Sequence, residues 1–228
     1  MNNLTIVLDI DDTLIHSERG ADATTPGVLK VSIHLRPYLY EFLLYCFYNF
    51  YHVALWTAAS PEWVQVVTET VLRPFLESTG KSFYFIKDRR DCVPDEQGIL
   101  TKPFTAITNP FFDETSSIIV DDMFENVSMN GERFIIIPHF EGPKGGFTDD
   151  MFLLALTSFL GDIATHFRRY DDVDTDSTGE PWFIRYFESY SKVVKQEYTT
   201  EPEKYLVTFP NYTFDVSVYS LTFGEAKD

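Results

Sequence analysis

Apolar residues crowd positions 4–8, stop at Asp9, and resume at Ile10, Leu14 and Ile15 around a polar segment. A short apolar run with so sharp an end predicts a buried strand over about 4–10. The next stretch, 16–27, is polar and holds Gly20, Pro26 and Gly27, and it reads as an exposed loop. Apolar and polar positions alternate over 28–35, which predicts a second strand. From Arg36 the period changes. Leu39, Phe42, Leu43, Cys46, Phe47 and Phe50 recur at three- and four-residue spacing, the mark of a helix with one buried face. Residues 51–56 return to a strand that ends at Thr57. Ser60, Pro61 and Glu62 then predict a helix start: a capping hydroxyl, proline in the first turn and an acid at the positive end of the helix dipole. That helix is expected to run towards Arg73, where Pro74 breaks or kinks it.

Further along, 82–87 and the surroundings of 98–101 read as short strands joined by a charged turn over 88–97. Residues 116–120 form an apolar run ending in Asp121 and Asp122, and 133–137 form another, closed by Pro138. One long amphipathic helix is expected within 147–170, starting near Thr148 and Asp149. Strands alternating with helices predict an α/β fold: a mostly parallel, Rossmann-like sheet flanked by helices, with a small β insertion. Beyond it, 171–180 carries five acids in ten residues and reads as a solvated linker. Phe183, Tyr186, Phe187, Tyr190 and Val194 would share one helical face over 181–197. Residues 206–221 read as two short strands around Pro210 and Asn211. The chain therefore divides into a main domain, 1–165, and an aromatic-rich C-terminal α+β extension, 166–228, that packs on the core or offers a partner surface.

Composition narrows the picture. Hydrophobic residues are 44% and aromatics 16% of 228, which supports a packed core and excludes global disorder. The formal net charge of −17 repels phosphate backbones and anionic lipid, so nucleic acid and membranes are disfavoured as partners. Cys46 and Cys92 are too few for a disulfide framework or a cysteine metal site, which fits a reducing compartment. The N-terminal stretch has no basic region followed by a long apolar segment, and the most apolar interval, 42–56, is broken by Asn49 and His52. The expectation is a soluble intracellular protein.

Candidate chemistry follows from where the acids fall. Asp9 and Asp11 are two residues apart, so in extended chain both face one side. Ligands of open α/β sheets bind just past the carboxyl ends of strands. Two like charges about 4 Å apart cost roughly 4 kcal/mol at an effective dielectric near 20, so the pair calls for a cation. Four groups fall at predicted strand ends: Asp9 with Asp11, Thr57, Lys102, and Asp121 with Asp122. Asp9, Asp11, Asp121 and Asp122 would make a hard oxygen site suited to Mg²⁺, while Thr57 and Lys102 hold phosphate oxygens. The chemistry that fits is phosphoryl transfer. Asp9 attacks phosphorus, and Asp11 protonates the leaving oxygen and then acts as base towards water. Each residue also has a plain structural reading, as an acidic turn, a solvated lysine or a helix cap; only the ensemble points to chemistry. His16, His34, His52, His139 and His166 show no ligand spacing and are read as structural.

The segment Leu8-Asp9-Ile10-Asp11-Asp12-Thr13-Leu14-Ile15-His16-Ser17 resembles the first motif of haloacid-dehalogenase-superfamily phosphatases, in the form found in the FCP/SCP group. That group dephosphorylates the C-terminal domain of RNA polymerase II. Arg36-Pro37 with the following helix, Trp56-Thr57-Ala58-Ala59-Ser60, the order Arg89, Cys92, Lys102, and Asp121-Asp122 match its other motifs. The resemblance covers about 4–165. It implies a Mg²⁺-dependent phosphatase that forms an aspartyl-phosphate and acts on phosphoserine or phosphothreonine in a protein segment. It further implies Asp122 as a direct Mg²⁺ ligand. Thr13, Arg89 and Arg90 are candidate substrate contacts, the two arginines otherwise reading as turn charges. Asp12 replaces the group's usual Glu, Pro103 follows the lysine where Asp is common, and 166–228 has no counterpart. Rival readings are a phosphatase of polynucleotide 3′-phosphates or small metabolites, and a non-catalytic binding module with the same fold.

Overall fold

The computed structural model describes residues 4–20, 25–145, 150–166, 196–198 and 201–223. Strand β1 (Thr5–Leu8) is buried at every position, as a strand covered on both faces must be. A hairpin follows, β2 (Ile15–Arg19) and β3 (Val28–Leu35), then α1 (Leu39–Asn49) and β4 (His52–Trp56). Helix α2 (Pro61–Val67) passes through a π-helical turn, Thr68–Leu72, into α3 (Arg73–Thr79). Short strands β5 (Ile86–Lys87), β6 (Val93–Pro94) and β7 (Leu100–Thr101) precede β8 (Ser117–Asp121), α4 (Phe124–Val127), β9 (Phe134–Ile136) and α5 (Phe152–His166). Last come β10 (Gln196–Tyr198), β11 (Glu203–Thr208), β12 (Thr213–Tyr219) and β13 (Leu221–Phe223).

The main sheet has five parallel strands in the order β5-β4-β1-β8-β9. This is the Rossmann-like α/β architecture expected from the sequence, with β1 at its centre. The carboxyl ends of β1, β4 and β8 therefore share one rim. Helix α1 buries Leu39, Phe42, Leu43 and Cys46, the stripe expected from spacing. Ser60 caps α2 by accepting a hydrogen bond from the Trp63 amide, and Pro61 occupies its first turn. Pro74 does not end the helical run. The chain widens into the π-helical turn just before it, one of the ways a helix accommodates local disruption.

Two expectations need correction. The polar stretch after His16 is not all loop, because Ile15–Arg19 pairs antiparallel with β3. β2 lies at the edge of its sheet and only Ile15 is buried, so its polar sequence carries no strand period. The helix expected over 181–197 lies almost wholly outside the described residues, and Gln196–Tyr198 is strand, paired with β13. The linker expected over 171–180 also lies outside them. The two strands expected around Pro210 and Asn211 are β11 and β12. β12 pairs in parallel with β3 from Thr213↔Val28 to Tyr219↔His34, giving a four-stranded sheet β11-β12-β3-β2. Val207, Val216 and Val218 join Val31 and Ile33 in the main core.

Candidate active site

Asp9 leaves the carboxyl end of β1 with its amide still bonded to Val120 O at 2.9 Å, so its side chain is aimed by the β1–β8 pairing. Asp121 closes β8 next door. Lys102 Nζ lies between them, 2.5 Å from Asp9 Oδ1 and 2.6 Å from Asp121 Oδ2. Lys102 does not come from a strand end of the main sheet, as its place among the motifs suggests. It follows β7 of the small β6–β7 hairpin, and its backbone is pinned from the far side. Its amide donates to Asn126 O at 2.7 Å, and its carbonyl accepts from Asn130 Nδ2 at 3.0 Å. Asn130 also accepts from the Phe104 amide, so one buried amide side chain fixes the approach of the lysine. Nothing in sequence spacing marks Asn130 for that task.

Two buried carboxylates thus share one ammonium. Burial pushes the Asp9 carboxyl well above the usual carboxylate range; Lys102 opposes the shift, and Asp121 and Asp11 add to it. Asp121 is raised for the same first reason, again against Lys102. For Lys102, burial works to lower its value, but Asp9 and Asp121 outweigh it and hold the ammonium charged above the ordinary lysine range. Asp122 completes the group: one oxygen from each of Asp9, Asp121 and Asp122 lies within 4.8 Å of the others. Three carboxylates against one ammonium leave uncompensated negative charge in a mostly buried place. Hard oxygen donors with that excess fit a divalent cation.

The Asp11 side chain is turned away from this group, to Thr57 and Trp63. β1 ends at Leu8, and Asp11 already belongs to a tight turn that bridges to Ile15, with Asp12 in the left-handed region at φ 57°. The extended two-residue register fails there, and the Asp11 side chain turns towards β4. Its Oδ1 accepts from Trp63 Nε1 at 2.6 Å and its Oδ2 from Thr57 Oγ1 at 3.1 Å. Burial raises the Asp11 carboxyl, and the Trp63 and Thr57 hydrogen bonds oppose the rise. A tryptophan on an amphipathic helix reads as core, so Trp63 escapes sequence reasoning.

Thr13 is fully buried and donates to Asp122 Oδ1 at 3.2 Å, so its hydroxyl serves the carboxylate group and not the open side. Arg89 is exposed and lies over the turn after Thr57, with Nε bonded to Ala58 O at 2.8 Å and its amide to Ala59 O at 2.9 Å. Arg90 is committed elsewhere: Nε and Nη2 both bond the Asp88 carboxylate, which those contacts pull below the usual range. His139, read as structural from sequence, bonds Asp122 Oδ2 through Nδ1 at 2.7 Å and lies 3.4 Å from Asp12 Oδ2 through Nε2. His16 holds the other Asp12 oxygen at 2.7 Å. The Phe140 amide brings this strand-to-turn contact about by bonding Asp12 O at 2.8 Å, a link between distant segments that spacing does not reveal.

Residues 4–174 match the family model of the NLI interacting factor-like phosphatases. Among curated proteins, the chain is similar to a ubiquitin-like domain-containing CTD phosphatase of Arabidopsis thaliana, 30% identical over 167 residues that make up 70% of this chain and 46% of that protein. The corresponding proteins of Homo sapiens and Drosophila melanogaster are 29% identical over 168 residues and 27% identical over 165 residues, covering 70% and 71% of this chain and 49% of each relative. The chain spans about half the length of the curated relatives it matches. Among the described residues no helix is long and apolar enough to cross a membrane.

Proposed function

The chain belongs to the NLI interacting factor-like phosphatase family, the FCP/SCP-like branch of the haloacid dehalogenases, and from that premise we propose that it is a Mg²⁺-dependent phosphomonoesterase whose nucleophile is Asp9. The proposed substrate is phosphoserine or phosphothreonine in a protein segment, the class to which the names of the curated relatives point. The observation that carries the reading is Lys102 shared between Asp9 and Asp121, with an Asp122 oxygen within 4.8 Å. Asp9, Asp121 and Asp122 would hold the cation, which when bound supplies positive charge against the phosphate oxygens.

The chain's own groups divide the remaining work. Lys102 fixes the Asp9 carboxylate by its Oδ1 contact and offers its ammonium to the charge that spreads over the phosphoryl oxygens. Asp9 then attacks phosphorus in line, forming the aspartyl-phosphate. Asp11, whose carboxyl keeps its proton to higher pH than a free aspartate, gives it to the leaving oxygen and afterwards takes one from the attacking water. Arg89, exposed beside the turn after Thr57, is suited to a backbone or phosphate contact on an incoming peptide. The net charge of −17 works against a polynucleotide substrate.

The test compares phosphoserine peptides, 3′-phosphorylated oligonucleotides and nucleotides as substrates with Mg²⁺ present, and traps the phosphoenzyme with borohydride. The expected outcome is preference for the peptide, with the label on the peptide that contains Asp9. Full turnover by Asp9→Asn would sink the nucleophile, and preference for an oligonucleotide or nucleotide would sink the substrate class.

A further inference from the structure

The Asp11 carboxylate is held from two sides by groups with separate supports. Thr57 Oγ1 takes Oδ2 while itself accepting from the Ala59 amide at 3.0 Å, so its position is set by the β4 end. Trp63 takes Oδ1 through its indole N–H at 2.6 Å. Trp63 is itself placed twice. Its backbone sits in the first turn of α2 under the Ser60 cap, and its ring meets Phe214 with centroids 6.2 Å apart. Phe214 belongs to β12 and packs against Phe209 at 5.9 Å and Tyr212 at 5.6 Å, at the turn of the C-terminal hairpin. The hairpin is anchored by the parallel ladder of β12 on β3.

We propose that Trp63 is a positioning residue for Asp11, and that Phe214 of the C-terminal hairpin braces it. This rests on the reading of Asp11 as general acid and base. A group that must donate to the leaving oxygen and then accept from water at nearly the same point works only if its two oxygens stay in place. One donor on each oxygen fixes the carboxyl torsion. If Trp63 only filled space, its ring would matter and its N–H would not. Removing the N–H alone separates these roles.

The experiment measures kcat/KM of the Mg²⁺-loaded enzyme on aryl phosphates of graded leaving-group acidity and on a phosphoserine peptide. Trp63→Phe keeps an aromatic ring and removes the donor. The expected result is a loss of roughly 10- to 100-fold on the peptide, whose leaving group needs a proton, shrinking to less than about 3-fold on the most acidic phenol. Asp11→Asn shows the same steepening, and the double variant is no worse than Asp11→Asn within about twofold, because both changes remove one function. Phe214→Leu repeats the steepening more weakly and provides the test if Trp63→Phe folds poorly. Equal losses of Trp63→Phe on every leaving group, or losses that multiply with Asp11→Asn, overturn the positioning role. A flat response of Asp11→Asn itself overturns the general-acid reading and the inference with it. Independently of turnover, the Trp63 indole proton resonance, identified by its loss in Trp63→Phe, shifts upfield in Asp11→Asn. An unmoved resonance refutes the contact.

Discussion

Arg36 and Lys102 are both almost fully buried, at 1% and 0% exposure, yet their charges are balanced in different ways. Among the described residues Arg36 faces one carboxylate, Asp150, with Nε 3.0 Å from Oδ2. Its remaining nitrogens donate to Thr13 O at 3.0 Å and Pro138 O at 2.9 Å, and the rings of Phe140 and Phe152 flank the guanidinium. Among those residues one cation meets one anion, and the fork ties the turn after β1 to the segment after β9 and to the start of α5. Lys102 meets two carboxylates and leaves charge over, on the side where Asp122 lies. A balanced buried pair is a clamp. An unbalanced one on the strand-end rim could hold a further cation, the role proposed for it above.

The contrast can be tested from its largest consequence downwards. Asp9→Asn is expected to lower kcat at least about 10⁴-fold, as loss of a nucleophile does, while the thermal midpoint holds or rises because one of the crowded buried charges has gone. Steady-state rates and a melting curve on one preparation check both halves. Arg36→Leu should do the reverse and cost about 3–5 kcal/mol in urea unfolding by stranding Asp150; changing Asp150 to Leu as well should recover most of it. Lys102→Gln is expected to lower kcat/KM by about 10²–10³-fold. Because it also removes the competing positive charge, the variant should bind Mg²⁺ more tightly in a calorimetric titration. The smallest effect is on stability. Mg²⁺ at a hundred times its Kd should add about 2.7 kcal/mol to wild-type unfolding, much less to Asp122→Asn, and the same increment to Asp150→Asn.

The central sheet and α1 were legible because their burial imposes a simple period: β1, β4 and β8 read as apolar runs, and Leu39, Phe42, Leu43 and Cys46 as a helical stripe. β2 was hidden because an edge strand with one buried residue needs no pattern. The meeting of Asp9, Lys102 and Asp121 was legible as an ensemble of motifs, although the route of the lysine was not. That route depends on Asn126 and Asn130, whose hydrogen bonds join segments with no shared spacing. Trp63 and His139 were missed for a related reason. Trp63 meets one carboxylate and His139 two, all from other parts of the chain, and neither residue type is rare in a core or on a surface. The partner of the C-terminal hairpin was equally invisible, since parallel pairing with β3 leaves no local signature.

That pairing has a consequence for how the molecule comes into being. β3 gains β2 on one side as soon as the hairpin is made, but its other side is closed only by Thr213–Tyr219. Until a ribosome has passed Tyr219, the eight residues of β3 offer a bare row of amides and carbonyls, with Val31 and Ile33 beside them. An open strand edge is a template for the wrong neighbour, including another nascent copy. A chain cut short before β12 would thus keep that edge open, whereas the pairing that closes it also brings Phe214 up to Trp63.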